Sequence, residues 1–299
     1  MGVEARAALA TLLAFVAAVV LLPLGVRREF EPLEIELTPH TSRLPRMHAD
    51  TMAAQVSKLV QLNTISDQGL PPSHLPPASQ RNMKEAHALL RSFYPHLFAA
   101  AAVETVNEFS LLLTLPGSDS SERPALFMCH LDVVAIEDGT ASEWGRAAGC
   151  SHCGPFSGAI HEGYVWGRGS LDMKQYCVAM LYAAERLLSQ DRGGGGGDDA
   201  KLPPFRSARP IMFALGHDEE AGGQAGHAQI VQHLKSKGML DLEFVHDEGL
   251  PIIPKGSSPQ QHFDWALVGL AEKGYLSVRV TCNGTGGHGS SPPSSGTAI

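Results

Sequence analysis

The 299-residue chain, 43% of it hydrophobic, is long enough to bury a large core, as one big domain or as one domain with part of another. Its 23 Lys and Arg against 31 Asp and Glu give a formal charge of −8, with no basic block to displace counterions from a phosphate backbone, so nucleic acid is excluded as an expected partner. Five cysteines at scattered spacings do not describe a disulfide framework, and the fold is expected to rest on its core.

No charge interrupts Ala7 to Val26, a run of Ala, Leu and Val long enough to cross a bilayer and bracketed by Arg6 and Arg27-Arg28. It reads as a signal-anchor or signal peptide. Its length and the lack of a small-x-small cleavage pattern favour the anchor, and the expected product is a single-pass membrane protein or a secreted, lumenal one. The arginines on the C-terminal flank oppose that orientation. Asn283-Gly284-Thr285, an N-glycosylation acceptor pattern, accords with it.

After a charged linker over 27–46, apolar residues at helical spacing (Met52, Val56, Leu59, Val60, then Met83, Ala86, Leu90, Phe93) predict two amphipathic helices. Phe109–Leu115 and Ala125–Cys129 read as buried strands. Cys150-Ser-His-Cys153 has the gap of a zinc or redox pair, yet no second pair accompanies it and it lies in a Gly-rich loop. A helix is predicted over 173–189, with Met173, Cys177, Met180, Leu181, Ala184 and Leu188 on one stripe. The glycines within Arg192 to Asp199 make a flexible surface loop. Beyond it come a strand over 210–215, a helix over 224–237 ended by Gly238, and a strand over 242–246. Two adjacent strands, 265–270 and 275–282, follow, and then a Gly/Ser/Pro-rich stretch. Strands alternating with helices describe an α/β fold with a mixed, largely parallel sheet, whose ligands belong at the C-terminal ends of strands.

Four such ends carry His or carboxylate. His130-Leu131-Asp132 leaves a strand, and residues i and i+2 share a side there, so Asp132 can take one imidazole nitrogen while the other binds metal. Asp172 follows Gly167 and Gly169 and opens a helix, where an N-cap is the simpler role, but paired glycines also bring a carboxylate close to something charged. Asp218-Glu219-Glu220 crowds three acids at a strand terminus, a costly arrangement unless cations neutralise it. His246-Asp247-Glu248 ends another strand. Imidazole with carboxylate is the donor set of zinc and similar divalent ions, and two metals follow from the number of donors.

In order, HLDVV, GRGSLDMK, GHDEEAGG, VHDEG and AEKG…GGHGSSPP resemble the aminoacylase and carboxypeptidase S family of di-zinc peptidases, and within it the N-fatty-acyl-amino-acid hydrolase/synthase branch. The resemblance implies that two Zn2+ are bridged by Asp172, that His130 and Asp247 complete one ion and that Glu220 serves the other. It assigns Asp132 to orienting His130, Glu219 to the general base and His288 to a lid that steadies the oxyanion. The implied reaction is hydrolysis by a metal-activated water of an amide bond adjacent to a free carboxylate, in a small peptide or an N-acyl amino acid. It further implies a catalytic domain over 47–272 and, over 273–299, the start of a smaller α+β lid domain through which such proteins dimerise. Met173 stands where a second acid is usual, Ala135 to Phe156 is longer than its counterpart, and Asp247 and Glu248 compete for one ligand role. Relatives also have a late histidine ligand with no counterpart here, which marks the chain as C-terminally truncated. The alternative function is then a catalytically inactive, membrane-tethered binding or dimerisation module.

Overall fold

The computed structural model describes residues 47–146, 149–189, 205–249, 252–258, 262, 264–271, 274 and 278–281. The chain divides into two units, Met1–Leu44 and Pro45–Ile299, the first of which lies outside the described residues. So do the apolar run Ala7–Val26, the glycine loop, Asn283 and His288. Among the described residues no helix is long and apolar enough to cross a membrane.

Helix α1 (Ala49–Val60) buries Val56, Leu59 and Val60 on one stripe. Helix α2 (Pro77–Phe93) starts on a proline, whose missing N–H costs nothing at the first helical turn, and buries Met83, Ala86 and Leu90. Pro95 cannot extend it and instead opens the short α3 (Pro95–Ala100). The first amides of α3 are met by a side chain from elsewhere: the Glu185 carboxylate accepts from His96 N (3.2 Å) and Leu97 N (2.8 Å). Strands β1 (Ala102–Val106), β2 (Ser110–Leu115) and β3 (Ala125–His130) follow, then the hairpin β4 (Ala159–His161) and β5 (Tyr164–Trp166). Helix α4 (Lys174–Leu188), β6 (Ile211–Gly216), α5 (His227–Ser236) and β7 (Phe244–His246) complete the central layers. The two-residue strands β8 (Ile252–Ile253) and β9 (Trp265–Ala266) pair with each other.

Five strands form one mixed sheet in the order β1-β2-β6-β3-β7. β1 with β2 and β2 with β6 run antiparallel, whereas β3 lies parallel to both β6 and β7. Alternation along the strands sorts their side chains onto two faces. Leu111, Leu113, Cys129, Phe213 and Leu215 join the larger core beneath α1, α2 and α4, while Leu112, Leu126, Met212 and Ala214 meet Ile230 and Leu234 of α5 on the other face. His130 of β3 is in register with Gly216 of β6, so the segments after both strands leave the sheet together.

Several sequence expectations are corrected. The cysteines do pair: Cys129 with Cys177 and Cys150 with Cys153. The first pair spans 48 positions and is set by α4 packing on β3, which spacing cannot reveal. The helix expected from Gln224 begins at His227, because the N–H groups of Ala225 and Gly226 are drawn to the Asp218 carboxylate (both 2.7 Å). The strand expected over 265–270 is limited to β9, which pairs with β8, and of the strand expected over 275–282 only 278–281 are described, with no strand assigned to them.

Candidate metal centre

Parallel β3 and β6 deliver two acid-bearing loops to one edge of the sheet. The first is held by a strand-like contact with residues 64–66: Val133 N donates to Thr64 O (3.2 Å), Ser66 N donates to Val133 O (3.2 Å) and Thr64 Oγ1 donates to Leu131 O (2.6 Å). Asp132 is completely buried and accepts from Ser66 Oγ (2.6 Å), Glu219 N (3.1 Å) and Glu220 N (3.1 Å). One carboxylate therefore pins the second loop to the first. Burial alone would raise the Asp132 pKa, but the contact with His130 and these donors hold it below the usual range. Asp218 is equally buried, accepting from Ala225 N and Gly226 N and lying 2.8 Å from His74 Nδ1.

His130, 1% exposed, turns Nδ1 toward Asp132, whose backbone carbonyl lies at 3.1 Å and whose Oδ1 lies at 3.4 Å. Its Nε2 faces acids: Asp172 Oδ1 at 3.1 Å, Glu219 Oε2 at 3.9 Å and Glu248 Oε2 at 3.9 Å. Ligand atoms of His130, Asp172 and Glu220 lie within 4.8 Å of one another, and so do those of His130, Glu219 and Glu248. Tetrahedral zinc ligands at ordinary bond lengths stand about 3.3 Å apart, so modest side-chain adjustment brings either group to coordination spacing.

Asp172 does not cap α4. Met173 holds the N-cap position without a side-chain hydrogen bond, and the Asp172 carboxylate faces His130. The glycines before it close the approach: Gly169 sits at φ 89°, and a Cβ there would fall 2.8 Å from Val133 Cγ1. Lys174, two residues later, is buried and donates through Nζ to Leu59 O (3.0 Å) and Leu62 O (2.9 Å), joining the end of α1 to the Asp172 segment.

The charge balance suits a cation. Burial lowers the proton affinity of His130, but Asp132, Glu219 and Glu248 outweigh it and push its pKa up to about 10. Burial, then repulsion from Asp172, pushes Glu220 up to about 7, and burial leads the upward shifts of Glu219 and Glu248. A divalent ion would replace the imidazole proton and relieve the repulsion among the acids.

His130, Asp132, Asp172, Glu219 and Glu220 thus come together at one edge. Of the dipeptide Asp247-Glu248, it is Glu248 that faces His130; Asp247 Oδ1 accepts its neighbour's N–H from Glu248 (2.9 Å). Asp247 instead acts on Tyr176, whose hydroxyl meets His246 Nδ1 and is pushed up to about 12 by burial and then by the Asp247 charge. His217 is buried away from the cluster, with Nδ1 2.7 Å from Ser110 Oγ. Ser66, His74 and Lys174 went unread in the sequence. Only Lys174, a cation within an otherwise apolar helix stripe, offered a signal.

Residues 126–196 match Peptidase family M20/M25/M40. Among relatives, carboxypeptidase S of Saccharomyces cerevisiae is 31% identical over 243 residues, covering 80% of this chain and 38% of that protein. An N-fatty-acyl-amino acid synthase/hydrolase of Homo sapiens is 38% identical over 195 residues (64% of this chain, 33% of that protein), and one of Danio rerio is 34% identical over 213 residues (71% and 37%). The solved structure of human carnosine dipeptidase 1 aligns with a TM-score of 0.48 at 20% identity, over 70% of this chain and 40% of that one. The chain spans 33–38% of the length of these three curated relatives. With the same stretch of sequence matching the family and its named members, the chain belongs to the M20/M25/M40 peptidase family.

Proposed function

We propose that this chain carries the metal-binding part of a site that hydrolyses an amide bond next to a free carboxylate, as in a C-terminal peptide bond or an N-acyl amino acid. The observation that supports it is the convergence of the Asp172, Glu220 and Glu248 carboxylates on His130 Nε2. The donor set, one imidazole with several carboxylates, fits two zinc ions. Asp172 would lie between them, with His130 and Glu248 or Asp247 on one side and Glu220 on the other. Zinc bound there would polarise the scissile carbonyl and make water a competent nucleophile near neutral pH.

The remaining chemistry falls to the protein. Asp132 fixes the imidazole through its contacts with Nδ1. Glu219 is anchored by its own N–H to Asp132 and leaves its half-exposed carboxylate free at the edge of the cluster. Its pKa is raised, chiefly by burial, so it is well matched to take a proton from water and pass it to the leaving amine. The lid role of His288 concerns a residue outside the described ones. The names of relatives, carboxypeptidase S and N-fatty-acyl-amino acid hydrolases, point to substrates that share the free carboxylate. The buried Cys129–Cys177 disulfide supports an exported or lumenal setting, where such bonds persist.

The test combines zinc content with turnover. The chain should bind zinc, and His130→Ala or Asp172→Ala should abolish that binding; failure of the unaltered chain to bind zinc overturns the reading. Against a C-terminal dipeptide and an N-acyl amino acid, Glu219→Gln should lower turnover by about 10²–10⁴-fold with zinc content unchanged. Zinc binding without turnover in the unaltered chain would favour a binding module over an enzyme.

A further inference from the structure

A second group of metal-ligating side chains lies away from His130, in the segment between β3 and the β4–β5 hairpin. Ligand atoms of Cys150, His152 and His161 lie within 4.8 Å of one another, and Cys153 Sγ adjoins that of Cys150. The imidazoles of His152 and His161 meet edge to face with centroids 5.8 Å apart. Two sulfurs and two imidazoles therefore converge from two separate stretches of chain.

Local structure holds them there. Cys150 N donates to Gly145 O (2.9 Å) and Cys153 N to Cys150 O (3.3 Å), a tight turn that turns both sulfurs to one side. Gly145 makes it possible: at φ 73°, a Cβ there would fall 2.7 Å from Cys153 Cβ. His161 ends β4 and is fixed by the hairpin, whose Glu162-Gly163 turn has φ 48° and 81°, and by Trp166 Nε1, which donates to its carbonyl (3.2 Å). Cys150 and Cys153 are buried, whereas His152 is exposed and can swing to close the set.

We propose that Cys150, His152, Cys153 and His161 form a zinc site of Cys2His2 composition, open when the two cysteines are reduced. Two thiolates and two imidazoles are the donors of a closed, structural zinc site. In the structure the sulfurs are joined as a disulfide, so oxidation state selects between a cross-link and a metal. A dithiol reductant supplies the two electrons, ends as its own disulfide and leaves two thiols here; zinc then displaces their two protons. The bound ion would tie this loop to the chain that carries Asp172. The Arg168 guanidinium of that chain stacks over Trp144 (5.4 Å to the centroid), and the Arg168 backbone N–H donates to Pro155 O (2.7 Å).

Cobalt(II) tests this independently of the His130 cluster, because only sulfur ligands give a thiolate-to-cobalt charge-transfer band. The reduced full chain should show that band and take up one more cobalt per chain than the oxidised form. Cys150→Ser/Cys153→Ser should remove both signals. His152→Asn, at an exposed position that leaves folding alone, should weaken binding about 10-fold or more while the His130 cluster keeps its metal. No band in the reduced protein, or a band that survives Cys150→Ser/Cys153→Ser, overturns the proposal.

Discussion

Two sets of acids occupy the same end of the sheet and behave in opposite ways. Asp132 and Asp218 form a floor, fully buried, with backbone amides and the Ser66 hydroxyl or His74 imidazole aimed at their oxygens. Asp172, Glu219, Glu220 and Glu248 form a rim, where half-exposed carboxylates face His130 and one another. Consecutive residues fall on opposite sides of the division, since Asp218 belongs to the floor and Glu219 and Glu220 to the rim. A carboxylate's task is therefore set by how many N–H groups surround it, and position in a motif does not decide it.

The largest expected effect breaks the floor. Asp132→Ala should cost about 3–5 kcal/mol in chemical denaturation, because it strands the Ser66 hydroxyl, two amides and the buried His130 at once. A loss under about 1 kcal/mol would erase the distinction between floor and rim.

His87 supplies a further case, an imidazole set against the core with a backbone hydrogen bond to Phe109 on one side of the ring and nothing on the other. Its Nε2 meets no hydrogen-bond partner, and burial pulls its pKa down to about 4. The unfolded chain takes up a proton near pH 6.5 that the folded one refuses until about pH 4, so stability should fall as pH drops through that window. The loss is at most about 3.4 kcal/mol at 1.36 kcal/mol per unit. His87→Gln should flatten that stretch of the stability profile; an unchanged slope would assign it to other groups.

At the rim the sign should reverse. Glu220→Gln removes a repelled charge, so stability should stay level or rise by up to about 1 kcal/mol while zinc affinity falls. Isothermal titration and denaturation together would show the two moving apart.

The smallest effect concerns an acid that is partnered at the surface and only half-buried. Glu104 receives Lys237 and His233, and the Lys237 hydrogen bond leads in holding its pKa below the usual glutamate range. That stabilisation is present above the ordinary glutamate pKa and is lost as pH falls through the lowered value. Because solvent screens the pair, Glu104→Gln should cost about 0.5 kcal/mol or less and the difference should vanish in high salt.

Much of the fold was legible because burial writes itself into apolar pattern. Strands β2, β3 and β6 are covered on both faces and read as short, mainly apolar runs, and α1, α2 and α4 carry their stripes. β1 was not legible, since Glu104 and Thr105 interrupt an edge strand, nor were β4 and β5, at three residues each. In the site, His130, Asp172 and the Glu219-Glu220 pair were visible as polar residues at strand ends. Ser66 and His74 were not, because they reach the floor from loops that only tertiary contacts bring near. The choice between Asp247 and Glu248 turns on how far β7 runs beside β3, a matter of register that neither residue type records.

The bond between Cys129 and Cys177 has a reach beyond the core that hides it. It joins the residue before His130 to the helix that follows Asp172, so both of these groups belong to one closed ring of chain. Such a ring restricts the denatured ensemble by about 4 kcal/mol on a chain-entropy estimate. Even with every strand undone, the imidazole and the carboxylate would remain leashed at high effective concentration, and a chelating pair would outlive the architecture built around it.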